Sequence, residues 1–440
     1  MSAGLISLLG VFIGLGLLIY LAYKGFPILL LGVISTLIVI VFSGQPIPDL
    51  LTGTYMKGFG SFAEKNWLIF LGSAVFGQLM ADSGAAKFLA IKGAGLARKF
   101  PGKEKFLAIV TLMTISGVLT YGGISLFVLV FTMVAIAKEI YSELDIPWHL
   151  YTTQTLSSGV ITMTMLPGTP SIQNIVPTEY LGTTTMAAPL LGFLLSAIAL
   201  TLGLSYIAFR LKQAEQRGEG FYPTGKLIAE SNIVLDRNVK DFSVILTLLP
   251  SIVLFFCLNV LNLGAPISLL ITVLVAYLIF RKDLDNLYGS IQSGSLNALN
   301  AMAATCAVVG FGAVVSAVPA FEYVISALDN IPGPPIVQLI LAINIAAGVT
   351  GSATAGVGIG LDILAERFLA QGIPAEVIHR IGVISAGGLD SLPHNGAVIN
   401  TLSVTKLTHK QAYFHYFFMT VLIPIVCAII GAILYQIGIW

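Results

Sequence analysis

Asp390 and His394 stand four residues apart in GGLDSLPHNGAVIN (387–400), a stretch that also holds Asn395, Asn400, a proline and three glycines. Histidine, with an unperturbed pKa of about 6.5, takes and releases protons near neutral pH. A carboxylate four residues before it tunes that exchange or fixes the tautomer. Asp362, in TGSATAGVGIGLDIL (350–364), is a further carboxylate inside an apolar run. An ionisable group at membrane depth is a functional hypothesis by default, so His394 with Asp390, and then Asp362, are the candidates for a coupling proton. The pair also has a structural use, with Asp390 as a cap and His394 bonded to a freed carbonyl. No nucleophile–base arrangement, metal-ligating cluster or Walker-type phosphate loop emerges. No enzymatic role, no cofactor and no ATP-driven cycle is expected.

Small donors gather at four interruptions in the apolar pattern. GVLTYGGIS (117–125) supplies Thr120, Gly122, Gly123 and Ser125, and LPGTPSIQN (166–174) supplies Gly168, Thr169, Ser171 and Asn174. GVTGSATAGVGIG (348–360) supplies Ser352 and Thr354, and LPHNGAVIN (392–400) supplies His394, Asn395 and Asn400. Glycine lets the chain turn sharply and bring backbone N–H groups close to a ligand, and a half-helix N-terminus offers partial positive charge. These residues are the expected substrate site. Away from the ends of these segments there is no Lys or Arg. The expected chemistry is therefore reversible capture of a small anion by dipoles, hydroxyls and amides rather than by an arginine clamp. Asn174 and Asn400 serve equally well as caps or bridges between helices, and the glycines as close-packing positions.

The elements that must position these groups are membrane helices. The chain has 440 residues, 56% of them hydrophobic and 10% charged, with a mean hydropathy of +0.93. A soluble domain carries roughly 25% charged residues. Apolar runs long enough to cross a bilayer predict full spans at 4–22, 26–43, 66–82, 184–209, 242–262, 265–280, 296–318 and 412–437. The first reads as a span rather than a cleaved signal, lacking a basic leader and a small-residue cleavage site. The net charge of +1 gives no reason to expect a nucleic-acid partner, and Cys257, Cys306 and Cys427 all lie in apolar runs, as packing residues do.

The interruptions pair up. Pro167 and Pro393, both in LPxxxxxxN, are 226 residues apart, and Thr120 and Thr350 are 230 apart. A looser echo joins Phe76-Gly77 to Phe311-Gly312. Two homologous halves follow, 1–212 and 241–440, joined by a polar linker at 213–240. Each has a hairpin (106–137 and 335–370) and a broken helix (149–183 and 376–407). With the linker on the cytoplasmic side, 18 of the 22 basic residues fall inside and four (Lys57, Lys65, Arg367, Arg380) outside, as the positive-inside rule requires. Both termini then lie outside and the repeats are inverted. That is the recurring plan of secondary transporters, whose site lies between the repeats near the midplane.

GGLDSLPHNGAVINTLSVTKLTHKQAY (387–413) and TGSATAGVGIGLDIL resemble the bacterial gluconate permease family, and within it the 3-hydroxybutyrate permeases. The likeness is concentrated in the last hundred or so residues, while the layout agrees along the chain. It implies an all-α polytopic protein of the bacterial inner membrane, with paired re-entrant hairpins and elevator-type movement of a homodimer. It also implies proton-coupled symport of a small hydroxy-monocarboxylate, 3-hydroxybutyrate first among them, with its carboxylate on freed N–H groups and its hydroxyl on Asn400 or Asn174. Gluconate or another hydroxy acid, sodium in place of the proton, and an anion channel are the alternatives that the residues leave open.

Overall fold

The computed structural model describes residues 3–85, 88, 92, 95, 99–121, 126–169, 171–230, 242–261, 263–328 and 333–440. Every regular element among them is a helix. Apolar side chains cover much of the outside, with Phe12 63% and Ile245 76% exposed. Surface of that kind fits lipid rather than water as the surrounding solvent. Five helices are long and apolar enough to cross a membrane: Gly4–Tyr23, Glu104–Tyr121, Pro189–Arg217, Leu287–Val315 and His409–Gln436.

Two groups of helices make up the molecule. The first contains α1 (Ala3–Tyr23), α2 (Ile28–Ser43), and α3 (Met56–Asp82), which is led in by wide π-type turns at Asp49–Tyr55. Later in the chain α9 (Val244–Asn259), α10 (Ala265–Phe280), α11 (Leu287–Val315) and α12 (Pro319–Leu328) join it. The pair α3 and α11 makes the most extensive helix–helix contact, α10 lies on α3, and α12 on α1. Val11, Leu31, Val39 and Phe311 share one of this group's apolar cores.

The second group contains both interrupted regions. A first hairpin, α4 (Glu104–Tyr121) and α5 (Leu126–Glu143), precedes a broken helix. Its first limb winds as a 3-10 turn (Trp148–Gln154) and then π-type turns (Leu156–Met165), and its second is α6 (Ile172–Leu181). The long α7 (Pro189–Arg217) follows, then a short α8 (Tyr222–Glu230). The second hairpin is α13 (Pro335–Thr350) and α14 (Ala353–Ala370). The second broken helix is α15 (Ala375–Ala386), a 3-10 turn at Leu389–Ser391, and α16 (Gly396–Thr405). α17 (His409–Phe417) and α18 (Ile423–Gln436) complete the chain, linked through Phe418–Leu422. Ile109, Leu191, Ile343, Ile381 and Cys427 belong to this group's common core.

Proline chemistry sets both breaks. Leu166 and Leu392 each precede a proline and are held extended, with ψ 128 and 162, because the proline ring crowds the helical conformation of the residue before it. The hairpin tip turns at Gly351, whose φ is +65 and whose missing side chain would meet the His394 ring at 3.1 Å.

Helix pair, long helix, hairpin, broken helix and long helix occur in the same order in α1–α7 and α9–α18. Packing follows that order. α3 lies on α11 and α7 on α18, while α5 rests on α16 as α14 rests on α6.

Some expected boundaries differ. The span expected at 66–82 begins at Met56, because Lys57, Lys65 and the glycines there mask a helix by hydropathy alone. The linker expected at 213–240 is partly helical: α7 runs on to Arg217, and α8 docks through buried Phe221 and Ile228. Residues 231–241 lie outside the described part, as do Gly122, Gly123 and Ser125.

Candidate functional site

A cavity of about 840 Å³ lies between the two helix groups. Leu126, the first described residue of α5, lines it, and among the described residues three helices begin at its wall: α6 at Ile172, α14 at Ala353 and α16 at Gly396. Their first N–H groups have no partner within the helix and carry the positive end of the macrodipole. Side-chain caps satisfy some of them. Ser171 accepts from the Asn174 N–H at 3.3 Å, Ser352 from that of Ala355 at 3.4 Å, and Asn395 from those of Ala397 and Val398 at 2.6 and 3.1 Å. Each of these caps also lines the cavity.

Each hairpin tip is tied to the break beside it. Tyr121 donates to the Pro167 carbonyl at 3.2 Å, and Asn395 Nδ2 to the Gly351 carbonyl at 2.8 Å. Thr120 and Thr350, the pair matched by spacing, both line the cavity and make the same bond, to the carbonyl four residues back, at 2.9 and 2.8 Å. Ser171 Oγ also donates to the Met163 carbonyl at 2.7 Å across the first break.

Of the sequence candidates, Thr120, Ser171, Ser352, Thr354, Asp390 and Asn395 line the cavity. Asp390 is the one acidic side chain among the described lining residues, and none of them is Lys, Arg or His. Ser391 Oγ donates to its Oδ1 at 2.8 Å. His394 is buried behind the wall (1% exposed), with neither ring nitrogen in a well-formed hydrogen bond and the Gly348 backbone within electrostatic reach. Asn400 is likewise buried, with its amide unpartnered. Gly168 and Thr169 belong to the first break without facing the cavity, and Asp362 is exposed on α14. Gly122, Gly123 and Ser125 fall outside the described residues.

Asn174 takes the bridging role. Its Nδ2 donates to the Thr169 and Thr185 carbonyls, both at 3.0 Å, and its Oδ1 accepts from Arg380 at 3.1 Å and meets His379 Nε2 at 3.1 Å. Arg380, expected on the exterior, is 0% exposed and donates to the Ala187 and Thr185 carbonyls as well. A planar, five-donor group suits such a set of acceptors. The network fastens the two broken helices together, and the guanidinium faces away from the cavity.

The opposite wall was missed by motif reading. Gly58, Ser61, Phe62 and Asn66 of α3 and Thr305, Val309, Gly312 and Ser316 of α11 line it. Spacings of three and four place each set on one helix face, which is a detectable signal. Further along the same two helices, Gln78 and Asn297 meet Lys138, Ser403 and Lys406 around a space of only about 70 Å³. The space between the groups is thus much larger at one end of the α3–α11 pair than at the other.

A chain whose described elements are all helices, with apolar side chains facing outward and a cavity between two helix groups, is a polytopic membrane protein. A relative places it in the transport class: the chain is 32% identical over 460 residues to the Uncharacterized transporter YxjC of Bacillus subtilis (strain 168), an alignment covering 94% of this chain and 96% of that one. The chain belongs to the family of that transporter. No family model matches it.

Proposed function

We propose that the protein is a proton-coupled secondary transporter that imports a small hydroxy-monocarboxylate, 3-hydroxybutyrate first among the substrates, across the bacterial inner membrane. One observation carries the reading: three helix N-termini share one cavity with Asp390, the single carboxylate among its described lining residues, none of which is lysine or arginine. Freed N–H groups and hydroxyls bind the substrate carboxylate. An ionised Asp390 beside it repels it, and a protonated Asp390 becomes a donor, so anion and proton enter together. Asp390 takes the proton role ahead of His394 because it faces the cavity, and Asp362 drops out because it does not.

The reciprocal packing of α5 on α16 and α14 on α6 supports reading the halves as inverted repeats. The wide end of the cavity borders the part of α3 that carries Lys57 and Lys65. The orientation that puts 18 of the other 20 basic residues, all but Arg367 and Arg380, on the cytoplasmic side turns that end to the exterior. Alternating access follows if the hairpin group slides along α3 and α11, in the manner of an elevator. A space of only about 70 Å³ at the other end of the α3–α11 pair argues against a continuous channel. Sodium coupling is the second reading, favoured by the helix C-termini at Thr350 and Gly387, since terminal carbonyls suit cations.

Uptake of labelled (R)-3-hydroxybutyrate into proteoliposomes, with an imposed pH gradient and no sodium, tests the reading. Accumulation that collapses with a protonophore is expected. Accumulation that needs sodium instead would overturn the proton assignment, and gluconate uptake without 3-hydroxybutyrate uptake would overturn the substrate.

A further inference from the structure

α17 crosses behind the second break and bonds to it twice. Tyr413 Oη donates to the Ser391 carbonyl at 3.1 Å, and His409 Nε2 meets the Pro393 carbonyl at 2.9 Å, which makes that nitrogen the protonated one. Both carbonyls were freed by the helix break, and both side chains are buried, at 5% and 6% exposure. Ser391 is also the residue whose hydroxyl donates to Asp390. One chain of contacts therefore runs from Tyr413 through the Ser391 turn to the cavity carboxylate.

The same two rings are touched from the other helix group. Tyr23, the last residue of α1, lies 5.6 Å from the His409 ring and 6.0 Å from the Tyr413 ring, centroid to centroid, the latter edge-on. It is 38% exposed, so its ring is a lateral prop rather than part of a core. The contact joins the group holding Asp390 to the group against which it must move.

We propose, on the proton-coupled reading above, that Tyr413 and His409 are positioning residues for Asp390 and that Tyr23 tightens their hold in this alignment of the two helix groups. A donor to a carboxylate favours its ionised form. Holding the Ser391 turn keeps that donor in place, so Asp390 can give up its proton during the return of the empty carrier. The titratable side chains close enough to feel the charge of Asp390 are Tyr413 and Tyr416, both from α17. The described cavity residues of the hairpins, α3 and α11 add no further ionisable group.

The role separates two transport modes. Exchange of internal for external substrate at equal pH runs with Asp390 protonated throughout and does not need the turn. Accumulation driven by a pH gradient requires Asp390 to ionise in every cycle. Full-length Tyr413→Phe, Tyr23→Ala and Tyr23→Phe in proteoliposomes with labelled (R)-3-hydroxybutyrate make the test. Loss of one hydrogen bond predicts that Tyr413→Phe lowers the accumulation ratio about three- to tenfold, with exchange unchanged. Tyr23→Ala follows in the same direction and Tyr23→Phe, which keeps the ring, behaves as wild type. Because Tyr23 is half out of the fold, its variants carry the test even if Tyr413→Phe does not fold. Accumulation and exchange falling in parallel, or neither falling, would overturn the positioning role. A wild-type protein that exchanges but never accumulates on a pH gradient would instead overturn the proton-coupled reading beneath it.

Discussion

At the scale of single residues, Asp390 and Arg380 are the two charges to compare, since each is inside the molecule and only one faces the cavity. Asp390→Asn mimics the protonated carboxyl, so it should retain substrate exchange and lose pH-driven accumulation, both measured in proteoliposomes. His394→Ala separates the two proton candidates: with the proton on Asp390, accumulation survives in whatever fraction of the variant folds. Arg380→Ala should behave differently. It strips the Ala187 carbonyl of both guanidinium donors and takes one donor each from the Asn174 and Thr185 oxygens, which keep other partners. The loss is on the order of 3 kcal/mol, read as a lower unfolding temperature in detergent, and Arg380→Lys should not restore it. Asp390 was legible in the sequence because an acid beside a proline break in an apolar run has few structural uses. Arg380 was not, because an arginine near a helix end looks the same whether it faces water or three carbonyls contributed by the other half of the chain.

At the scale of elements, the breaks were legible through proline and the caps through residue type, since Ser171, Ser352 and Asn395 are each followed by a helix. The asparagines divide in a way that spacing does not foretell. Asn395 caps α16 and lines the cavity, Asn174 bridges, and Asn400 is buried with its amide unpartnered. Asn395→Ala should cost about 1–2 kcal/mol through the lost cap. Asn395→Asp keeps the accepting oxygen and should recover most of that stability, yet it adds a second negative charge to an anion site and should depress uptake. Unfolding temperature and uptake rate, measured on both variants, check the two halves of that statement. What the local pattern could not give was the outer wall, because Ser61 and Asn66 become a polar face only once α3 is known to lie against the hairpins.

At the scale of the whole molecule, a site shared by two helix groups makes a prediction of its own. Asn66→Cys places a thiol on the α3 wall, opposite the breaks, while the three native cysteines are buried. A membrane-impermeant thiol reagent should label it from the exterior, and saturating substrate should slow the labelling. Labelling from the cytoplasmic side alone would reverse the assigned orientation. The three spaced matches pointed to the order of elements, helix pair, long helix, hairpin and broken helix, that both parts of the chain follow. The reciprocal packing of α5 on α16 and α14 on α6 was not legible, since each contact joins segments far apart in the chain, from opposite sides of the linker.

On the proposed reading, the anchor of this cavity is main chain. A mutational scan acts on side chains, so it would report walls, caps and the carboxylate while passing over the amides proposed to hold the ligand. Variation among relatives meets the same limit: residues facing the ligand's tail and hydroxyl can drift, and with them the preferred acid, while the preference for a negative charge is inherited with the helix breaks themselves. Replacing single amides by esters at the start of α14 or α16, rather than replacing residues, is the perturbation that would reach it.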